Sequence, residues 1–514
     1  MLFNSAEYLF LFLPLVFIVF VLLSRGSSTQ GQITWLILAS AYFYGSWNPL
    51  YLLLICSSIV VNFYVGRTLA ATPHDRRRLW LSAGVVFNLG LLAYFKYAGF
   101  FVDSLNTLGN WLIPIPEITL PLAISFFTFQ QIAYLVDVSR DDCQEYEFRR
   151  YALFVLFFPQ LMAGPIVHHK EVMPQFSFLR PAGQLRTDIS VGLTIITIGL
   201  FKKVVMADSL AELSNPVYAA AAQGETISTL DGWVATLGFS FQIYFDFSGY
   251  SDIAIGSARL FGIKLPENFK SPYKSRSVIE LWNRWHITLS RFLRDYLYIA
   301  LGGNRRGKIA RYRNLFLTML LGGLWHGAAW TFVMWGALHG TFLCINHGWR
   351  AIQKKLGVRN LGSIPLVSLF YVLLTFLAWS VATVVFRSQD LGSALLILDA
   401  AFVSFTMAPD LILVNTLTES LPQRLMLLAG VDGGTYATVY FMFGIAAAIC
   451  WLLPNSQELM HQYDPVISSP GSATGKSNWI SWRPTLLFAC GFGALLSLSL
   501  LNLSSITEFY YFQF

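Results

Sequence analysis

Long apolar segments recur along the whole chain, and this repetition constrains the fold more than any single motif does. About ten to twelve of them are long enough to span, or nearly span, a hydrocarbon layer of roughly 30 Å. They cover residues 8–23, 33–45, 50–66, 81–101, 119–138, 150–167, 189–207, 231–245, 314–346, 364–386, 435–453 and 485–503. Only 12% of the 514 residues are charged, against roughly 25% in a soluble domain. The sequence therefore predicts an all-α polytopic membrane protein with about ten to twelve membrane helices, joined after residue 200 by re-entrant or interfacial helices.

Basic loops orient this stack of helices. The loops within 67–78 and 140–150 are rich in arginine, whereas the intervening loop 102–118 has no lysine or arginine. By the positive-inside rule the two basic loops face the cytoplasm, which places the N-terminus outside. The first apolar run, from Tyr8 to Leu23, follows no basic stretch, so it is interpreted as a membrane helix and not as a cleaved signal.

Two histidines in strongly apolar surroundings are the first candidates for chemistry. His326 lies in the uncharged run 315–345, and His286 follows Trp285 earlier in the chain. An ionisable side chain at bilayer depth costs about 3 kcal/mol or more unless something offsets it, so by default it marks a functional site. A neutral imidazole is also a natural general base near pH 7 for a hydroxyl nucleophile. From the pattern alone, a packing role and a catalytic role explain His326 equally well. The small residues beside it and the cations upstream favour catalysis.

The other histidines are interpreted as structural. His339 follows His326 by thirteen residues, which on one ideal helix is about 220° around the axis, so the two would not share a face. His168, His169 and His347 lack comparable surroundings.

The stretch 270–314 is the most unusual in charge. It contains eleven lysines and arginines but only Glu280 and Asp295 as acids, a net charge of 11 − 2 = +9. Its apolar residues recur every three or four positions, which predicts an amphipathic helix in the cytoplasmic headgroup layer. A compatible hypothesis is that these cations bind an anionic, phosphate-bearing substrate such as a coenzyme A nucleotide. The candidate donor-binding residues are Arg284, Trp285, Arg291 and Arg294.

Other motifs give no support to other chemistries. The five cysteines are scattered and odd in number, which indicates neither a disulfide framework nor a metal cluster. Residues 471–477 resemble a phosphate loop but are one residue short and follow no predicted strand. Asp246 and Asp252 have no third carboxylate near them, and no Gly-x-Ser-x-Gly string occurs. No metal site and no nucleic-acid partner are predicted.

Nine strings, in order along the chain, resemble the membrane-bound O-acyltransferase family. They are LPLAISFFTFQ at 120–130, FPQLMAGPI at 158–166, YFDFSGYSD at 244–252, PENF at 266–269, WHITLS at 285–290, RDYLYI at 294–299, LGGNR at 301–305, GGLWHG at 322–327 and YFQF at 511–514. More narrowly, they are similar to the branch that O-acetylates bacterial polysaccharides such as alginate, cellulose or peptidoglycan. The likeness predicts a single membrane domain over 1–514, with 388–480 as its least similar region.

This resemblance implies a ring of membrane helices around a central tunnel, located in the cell inner membrane. It implies that His326 is the catalytic residue, acting as general base, and that His286 orients the acyl group or stabilises its oxyanion. Cytoplasmic acetyl-CoA would be the donor substrate, without a tightly bound cofactor. A periplasmic esterase-like acetyltransferase partner would place the acetyl group on an alginate-like exopolysaccharide.

Two features leave alternatives open. The aromatic tail 509–514 is either an interfacial anchor or a docking segment, and its Tyr511 hydroxyl is a candidate acetyl relay.

The whole chain could instead be a transporter or translocator of acyl groups or lipids, because such proteins also bury polar residues in the membrane. A noncatalytic scaffold is a third reading, which leaves the two histidines unexplained. Acetyl transfer by the purified chain would distinguish an acetyltransferase from a transporter and from a scaffold.

Overall fold

The computed structural model describes residues 1–26, 29–142, 147–162, 164–177, 184–357, 364–404, 435–467 and 480–503. Within these ranges the regular structure is helical, apart from one β-bridge between Pro266 and Ile467. The first half contains α1 (Glu7–Arg25), α2 (Thr29–Gly45), α3 (Pro49–Ala71), α4 (Arg77–Gly109), α5 (Ile124–Ser139), α6 (Phe148–Leu156), α7 (Leu185–Ala222) and α8 (Thr229–Leu260). The second half contains α9 (Val278–Trp282), α10 (Ile287–Phe292), α11 (Gly307–His326), α12 (Trp330–Lys355), α13 (Pro365–Arg387), α14 (Leu391–Phe402), α15 (Thr435–Trp451) and α16 (Leu486–Leu501).

Several of these helices are suited to a bilayer. Among the described residues, α1, α3, α4, α7 and α13 are long and apolar enough to cross a membrane, and α14, α15 and α16 are shorter apolar helices. Large apolar side chains such as Leu366 and Leu486 point outward and are about four-fifths exposed in the isolated chain (76% and 81%). Such a surface is stable against lipid and not against water. The predicted all-α membrane class is confirmed.

The pair α7 and α8 forms the centre of the molecule through glycine contacts. A Cβ atom on Gly199 would lie 2.6 Å from the carbonyl oxygen of Gly249, and one on Gly256 would lie 2.6 Å from that of Gly192. Small residues let two helix backbones approach this closely, as is typical of helix pairs in membranes. Residues along nearly the whole of α8 are buried as a result.

Two buried ion pairs join the same two helices, and a third lies within α7. The Lys202 ammonium lies 2.7 Å from Asp252, and the Lys203 ammonium lies 2.7 Å from Asp208 and 2.9 Å from Asp246. Removing one partner of such a pair would leave an uncompensated buried charge. Asp246 and Asp252 are therefore partners of buried lysines.

We expect Gly199→Val to destabilise the protein strongly. The added side chain would overlap the backbone of α8, and overpacking of this kind costs about 1–3 kcal/mol or more. Gly493→Val on α16 is the matched control, because an added Cβ there meets no atom within 4 Å and the loss of helical glycine is the same. Thermal unfolding in detergent should give a clearly lower Tm for Gly199→Val alone. Equal Tm values would contradict the close contact of α7 with α8.

The predicted apolar span 314–346 is two helices and not one. Helix α11 ends at His326, Gly327 has extended backbone (φ −157°, ψ 152°), and α12 begins at Trp330 and packs back along α11. Close contact is possible because Gly336 carries no side chain; a Cβ there would lie 2.5 Å from the carbonyl oxygen of Met319. His326 thus lies at the turn of a helical hairpin.

The predicted span 150–167 is also interrupted. Helix α6 ends at Leu156, and Phe157 leaves helical geometry (φ −48°, ψ 107°) before a short helical turn, Phe158–Leu161. Pro159 explains the break, since proline cannot donate the next backbone hydrogen bond of a continuous helix.

The basic stretch 270–314 does not form a single surface helix. Helix α9 ends at Trp282 and α10 begins at Ile287, because His286 adopts a left-handed backbone conformation (φ 43°) that interrupts a right-handed helix. The apolar positions face protein: Trp285 packs 4.4 Å from Trp379, measured between ring centroids, and Leu289 is fully buried. The expectation of a helix lying in the headgroup layer is therefore wrong for this part of the stretch.

Candidate active site

His326 is the last residue of α11, and aromatic rings surround it. Its ring centroid lies 4.9 Å from that of Trp335 on α12, 5.0 Å from that of Trp325 and 5.5 Å from that of Phe386 on α13. The side chain is buried. The hairpin between α11 and α12 creates this arrangement, because it folds Trp335 back against the end of α11. In such apolar surroundings electrostatic interactions are stronger than in water.

His286 lies opposite His326, with 6.5 Å between the two ring centroids. It is fully buried, and its Nδ1 atom lies 3.1 Å from Oδ1 of Asn268. The same oxygen accepts a hydrogen bond from the Thr288 backbone N–H at 3.3 Å. Since Oδ1 acts only as an acceptor, neutral His286 carries its proton on Nδ1 and offers a lone pair at Nε2. The structure therefore brings together the two histidines that the sequence singled out.

His339 belongs to the same aromatic cluster, contrary to the sequence-based expectation. Its ring lies 4.6 Å from Trp335 and 5.2 Å from Trp282, centroid to centroid, and it is fully buried. The predicted angle of about 220° between His326 and His339 holds only for one continuous helix through both residues. The hairpin turn breaks that helix, and the rings of His326 and His339 both lie near that of Trp335, at 4.9 and 4.6 Å between centroids.

Six buried polar atoms of this cluster have no hydrogen-bond partner among the described residues. They are Nε2 of His286, both ring nitrogens of His339, and the indole N–H groups of Trp282, Trp325 and Trp335. Buried polar groups in native proteins are nearly always paired, so a local group of unpaired ones needs an explanation such as a ligand site. The cluster offers one defined acceptor and three donors beside the two facing histidines.

A cavity of about 750 Å³ lies along α11 below this cluster. Its wall includes Met319, seven residues or about two helical turns before His326, and Trp282, whose ring lies 5.8 Å from that of Trp335. Cations dominate its charged lining, with a single acid, Glu267, against them. The basic lining residues are Lys270, Arg291, Arg294, Arg311 and His347.

One wall of the cavity, formed by the turn that carries Arg294, lies on the side of the basic loops. Tyr296, in the π-helical turn after α10, donates a hydrogen bond to Asp137 near the end of α5 at 3.0 Å. Just beyond that end, Asp141 lies 2.6 Å from the guanidinium of Arg77 at the start of α4. The positive-inside rule assigns this side to the cytoplasm.

The predicted donor-binding residues divide into two groups. Arg291 and Arg294 line the cavity, and each is also paired with an acid. Arg291 makes two hydrogen bonds to Glu171, at 2.6 and 2.8 Å, and Arg294 makes two to Asp295, at 2.7 and 3.0 Å. Arg284 and Trp285 do not line it: Arg284 pairs with Glu280 at 2.9 Å, and Trp285 is buried among aromatic rings. Lys270 and Arg311 also line the cavity. The sequence does not single them out among the eleven cations of 270–314, because their approach depends on how the broken segment folds.

Lys96 is a further residue near His326 that the sequence analysis overlooked. It belongs to α4, and its ammonium donates hydrogen bonds to the backbone carbonyl of Trp325 at 2.6 Å and to that of His326 at 3.0 Å. The signal was present, since Lys96 is the only charged residue in the predicted span 81–101. The relay candidate Tyr511 and the loop 471–477 lie outside the described residues.

Comparison with known proteins identifies the family of the chain. The sequence model of the membrane-bound O-acyltransferase family matches residues 138–386, which include both facing histidines. The chain is 43% identical over 425 residues to the peptidoglycan O-acetyltransferase of Helicobacter pylori, covering 77% of this chain and 79% of that protein. It is 42% identical over 409 residues to the probable alginate O-acetylase AlgI of Pseudomonas aeruginosa, covering 78% and 75%.

A more distant relative is named for a different activity. The teichoic acid D-alanyltransferase of Bacillus subtilis is 28% identical over 243 residues, covering 46% of this chain and 60% of that protein. The two nearer relatives each align over three quarters of both chains, and this extent of identity decides the family. The chain belongs to the membrane-bound O-acyltransferase family and is an acyltransferase.

Proposed function

We propose that the protein takes an acetyl group from cytoplasmic acetyl-CoA and delivers it across the cell inner membrane for O-acetylation of an extracytoplasmic polysaccharide. One observation carries the proposal: two facing, buried histidines lie next to a cationic cavity on the side of the basic loops. The similarity to a peptidoglycan O-acetyltransferase and to a probable alginate O-acetylase supports acetyl as the transferred group and a polysaccharide as the acceptor. A translocator without chemistry of its own does not fit an acyltransferase family.

In the proposed reaction His326 is the general base. It takes the proton of an acceptor hydroxyl while the hydroxyl oxygen attacks the thioester carbonyl. The new C–O bond forms, the C–S bond breaks, and the proton passes from the imidazole to the departing coenzyme A thiolate. Neutral His286 presents only an acceptor at Nε2, so we assign it to orient the donor through an amide N–H of the pantetheine arm. The indole N–H groups of Trp325 and Trp335 are then the donors available to the oxyanion.

The cavity is proposed to hold the nucleotide end of the donor. Arg294, Lys270 and Arg311 supply positive charge and N–H donors at its wall, which suits the phosphates of coenzyme A. The pantetheine arm would then extend along α11 past Met319 toward His326. No tightly bound cofactor is required for this chemistry, because the thioester supplies the activated acetyl group.

The last transfer is proposed to occur outside the membrane. A periplasmic esterase-like partner would place the acetyl group on the polymer, with an alginate-like exopolysaccharide as the first candidate acceptor. Tyr511 is proposed as a relay, its hydroxyl holding the acetyl group between His326 and the partner.

The test is acetyl transfer by the purified protein in lipid nanodiscs. Acetyl-CoA is supplied together with a soluble polyol acceptor, and both the released coenzyme A thiol and the acetylated acceptor are measured. Equal amounts of the two products are expected. Thiol release without an acetylated acceptor would show that the protein only hydrolyses the thioester. The absence of both products would contradict the proposal.

The Glu267 carboxyl predicts a pH dependence of donor binding. Burial raises the pKa of Glu267 to about 7, and the nearby Lys270 opposes only part of that rise. The carboxyl is therefore neutral below about pH 7 and negative above it, where it repels the phosphates in the cavity. We expect the KM for acetyl-CoA to rise between about pH 6 and about pH 8 more steeply in the wild type than in Glu267→Gln. Parallel pH profiles of the two proteins would show that Glu267 does not face the donor.

A further inference from the structure

The end of α11 is held by side chains from α4. A helix ends with backbone carbonyls that have no intrahelical partner. At the end of α11 the Tyr97 hydroxyl donates to the carbonyl of Leu324 at 2.8 Å. The Lys96 ammonium donates to the next two carbonyls, those of Trp325 and His326, at 2.6 and 3.0 Å. Three successive carbonyls of the last turn are thus paired with two neighbouring residues of one other helix.

Lys96 makes its third hydrogen bond to Ser125 Oγ at 3.2 Å, so each of its three N–H groups has a partner. Among the described residues no carboxylate pairs with Lys96. Its electrostatic partner is the C-terminal end of α11, where the aligned peptide dipoles leave partial negative charge. The ammonium also lies 5.9 Å from the centroid of the Trp325 ring. A lysine in an apolar span, bound to backbone carbonyls instead of an acid, has the properties of a functional group and not of a surface charge.

The hydrogen bonds of Lys96 fix the backbone that carries His326, the proposed general base. His326 is the last helical residue before the hairpin turn, so no following turn of helix holds its backbone. Its ring direction relative to His286 depends on how firmly the final turn is fixed. A small displacement of a catalytic group costs far more in rate than in stability.

We propose that Lys96 is a positioning residue, which fixes the end of α11 by a charged cap and thereby holds His326 toward His286. The inference rests on the proposed function only for its effect on rate; the cap itself is independent of the reaction. Lys96 touches neither donor nor acceptor in this account, and it acts through the backbone of His326.

The test compares Lys96→Met, Lys96→Arg and Tyr97→Phe in lipid nanodiscs. Methionine keeps the length and loses the charge, arginine keeps the charge, and Tyr97→Phe removes the neutral cap on the adjacent carbonyl. We expect Lys96→Met to lower kcat at least about tenfold, with KM for acetyl-CoA within about twofold because the cavity is unchanged. Lys96→Arg should recover most of the loss, and Tyr97→Phe should stay within about threefold of the wild type. A wild-type kcat in Lys96→Met, or an arginine variant no better than methionine, would overturn the inference.

A second readout needs no activity and covers a variant that folds poorly. In ¹⁵N-histidine-labelled protein, the ring signals of His326 are assigned by their loss in His326→Gln. Those signals should move or broaden in Lys96→Met, or in the milder Lys96→Gln, and remain in place in Tyr97→Phe. Unchanged His326 ring signals in Lys96→Met would overturn the inference that Lys96 fixes the end of α11. If the signals respond while the wild type transfers no acetyl group, the proposed function fails and the positioning role stands.

Discussion

His326→Gln is expected to lower kcat for acetyl transfer by about a hundredfold to ten-thousandfold, the usual contribution of a general base. Glutamine has a similar size and can still form a hydrogen bond, but it cannot take a proton near pH 7. The KM for acetyl-CoA should change little, because the cationic cavity lies about two turns below His326. The measurement is steady-state kinetics on purified, monodisperse protein.

The control for this variant is His169→Gln. His169 is also buried and packs against aromatic rings, with Tyr134 at 5.9 Å between centroids, but it does not belong to the aromatic cluster around His326. It therefore reports the effect of losing a buried imidazole on folding alone. If both variants retain wild-type kcat per folded molecule, or both lose it equally, His326 is not the base.

The double variant Arg294→Gln/Arg311→Gln, which removes positive charge from the cavity, is expected to raise the KM for acetyl-CoA about tenfold. Both residues line the cavity, and a charge-assisted hydrogen bond to phosphate contributes about 1.5–3 kcal/mol before screening by solvent is taken into account. The kcat at saturating donor should remain within about twofold. Raising the ionic strength should increase the KM of the wild type more than that of the variant.

Arg284→Gln is the matched control for the cavity. It removes one arginine from the same basic stretch, but Arg284 pairs with Glu280 and does not line the cavity. Its KM should stay close to the wild-type value. A rise as large as in the double variant would indicate that overall charge, and not the cavity, attracts the donor.

The sequence contained enough information for the membrane class and for the two facing histidines. Apolar segments of spanning length reflect the thickness of the bilayer, which is a local property that can be read residue by residue. His286 and His326 were found because an ionisable group in an apolar run is costly, and because the strings around them resemble one family. The distance between them was not available from the sequence, since it depends on the hairpin at Gly327 and the helix break at His286.

The same two breaks explain most of what the sequence analysis missed. Periodicity predicts which residues share a helix face only while the helix continues. The prediction that His339 lies on a remote face holds only if one helix continues past His326. Trp285 is predicted at the donor site, but it turns into the protein after α9 ends. Lys96 was missed for another reason, namely that its partners are backbone carbonyls of a distant helix, which no side-chain pattern reveals.

The most direct test of the account is transfer of radiolabelled acetyl across a membrane. Proteoliposomes with the protein in one orientation receive [¹⁴C]acetyl-CoA on the side of the basic loops, and an impermeant polyol acceptor together with the partner protein is present on the other side. We expect label covalently bound to the acceptor with wild-type protein, and an initial rate of labelling at least about a hundredfold lower with His326→Gln. Label that crosses as intact acetyl-CoA, or equal labelling by the wild type and His326→Gln, would contradict it.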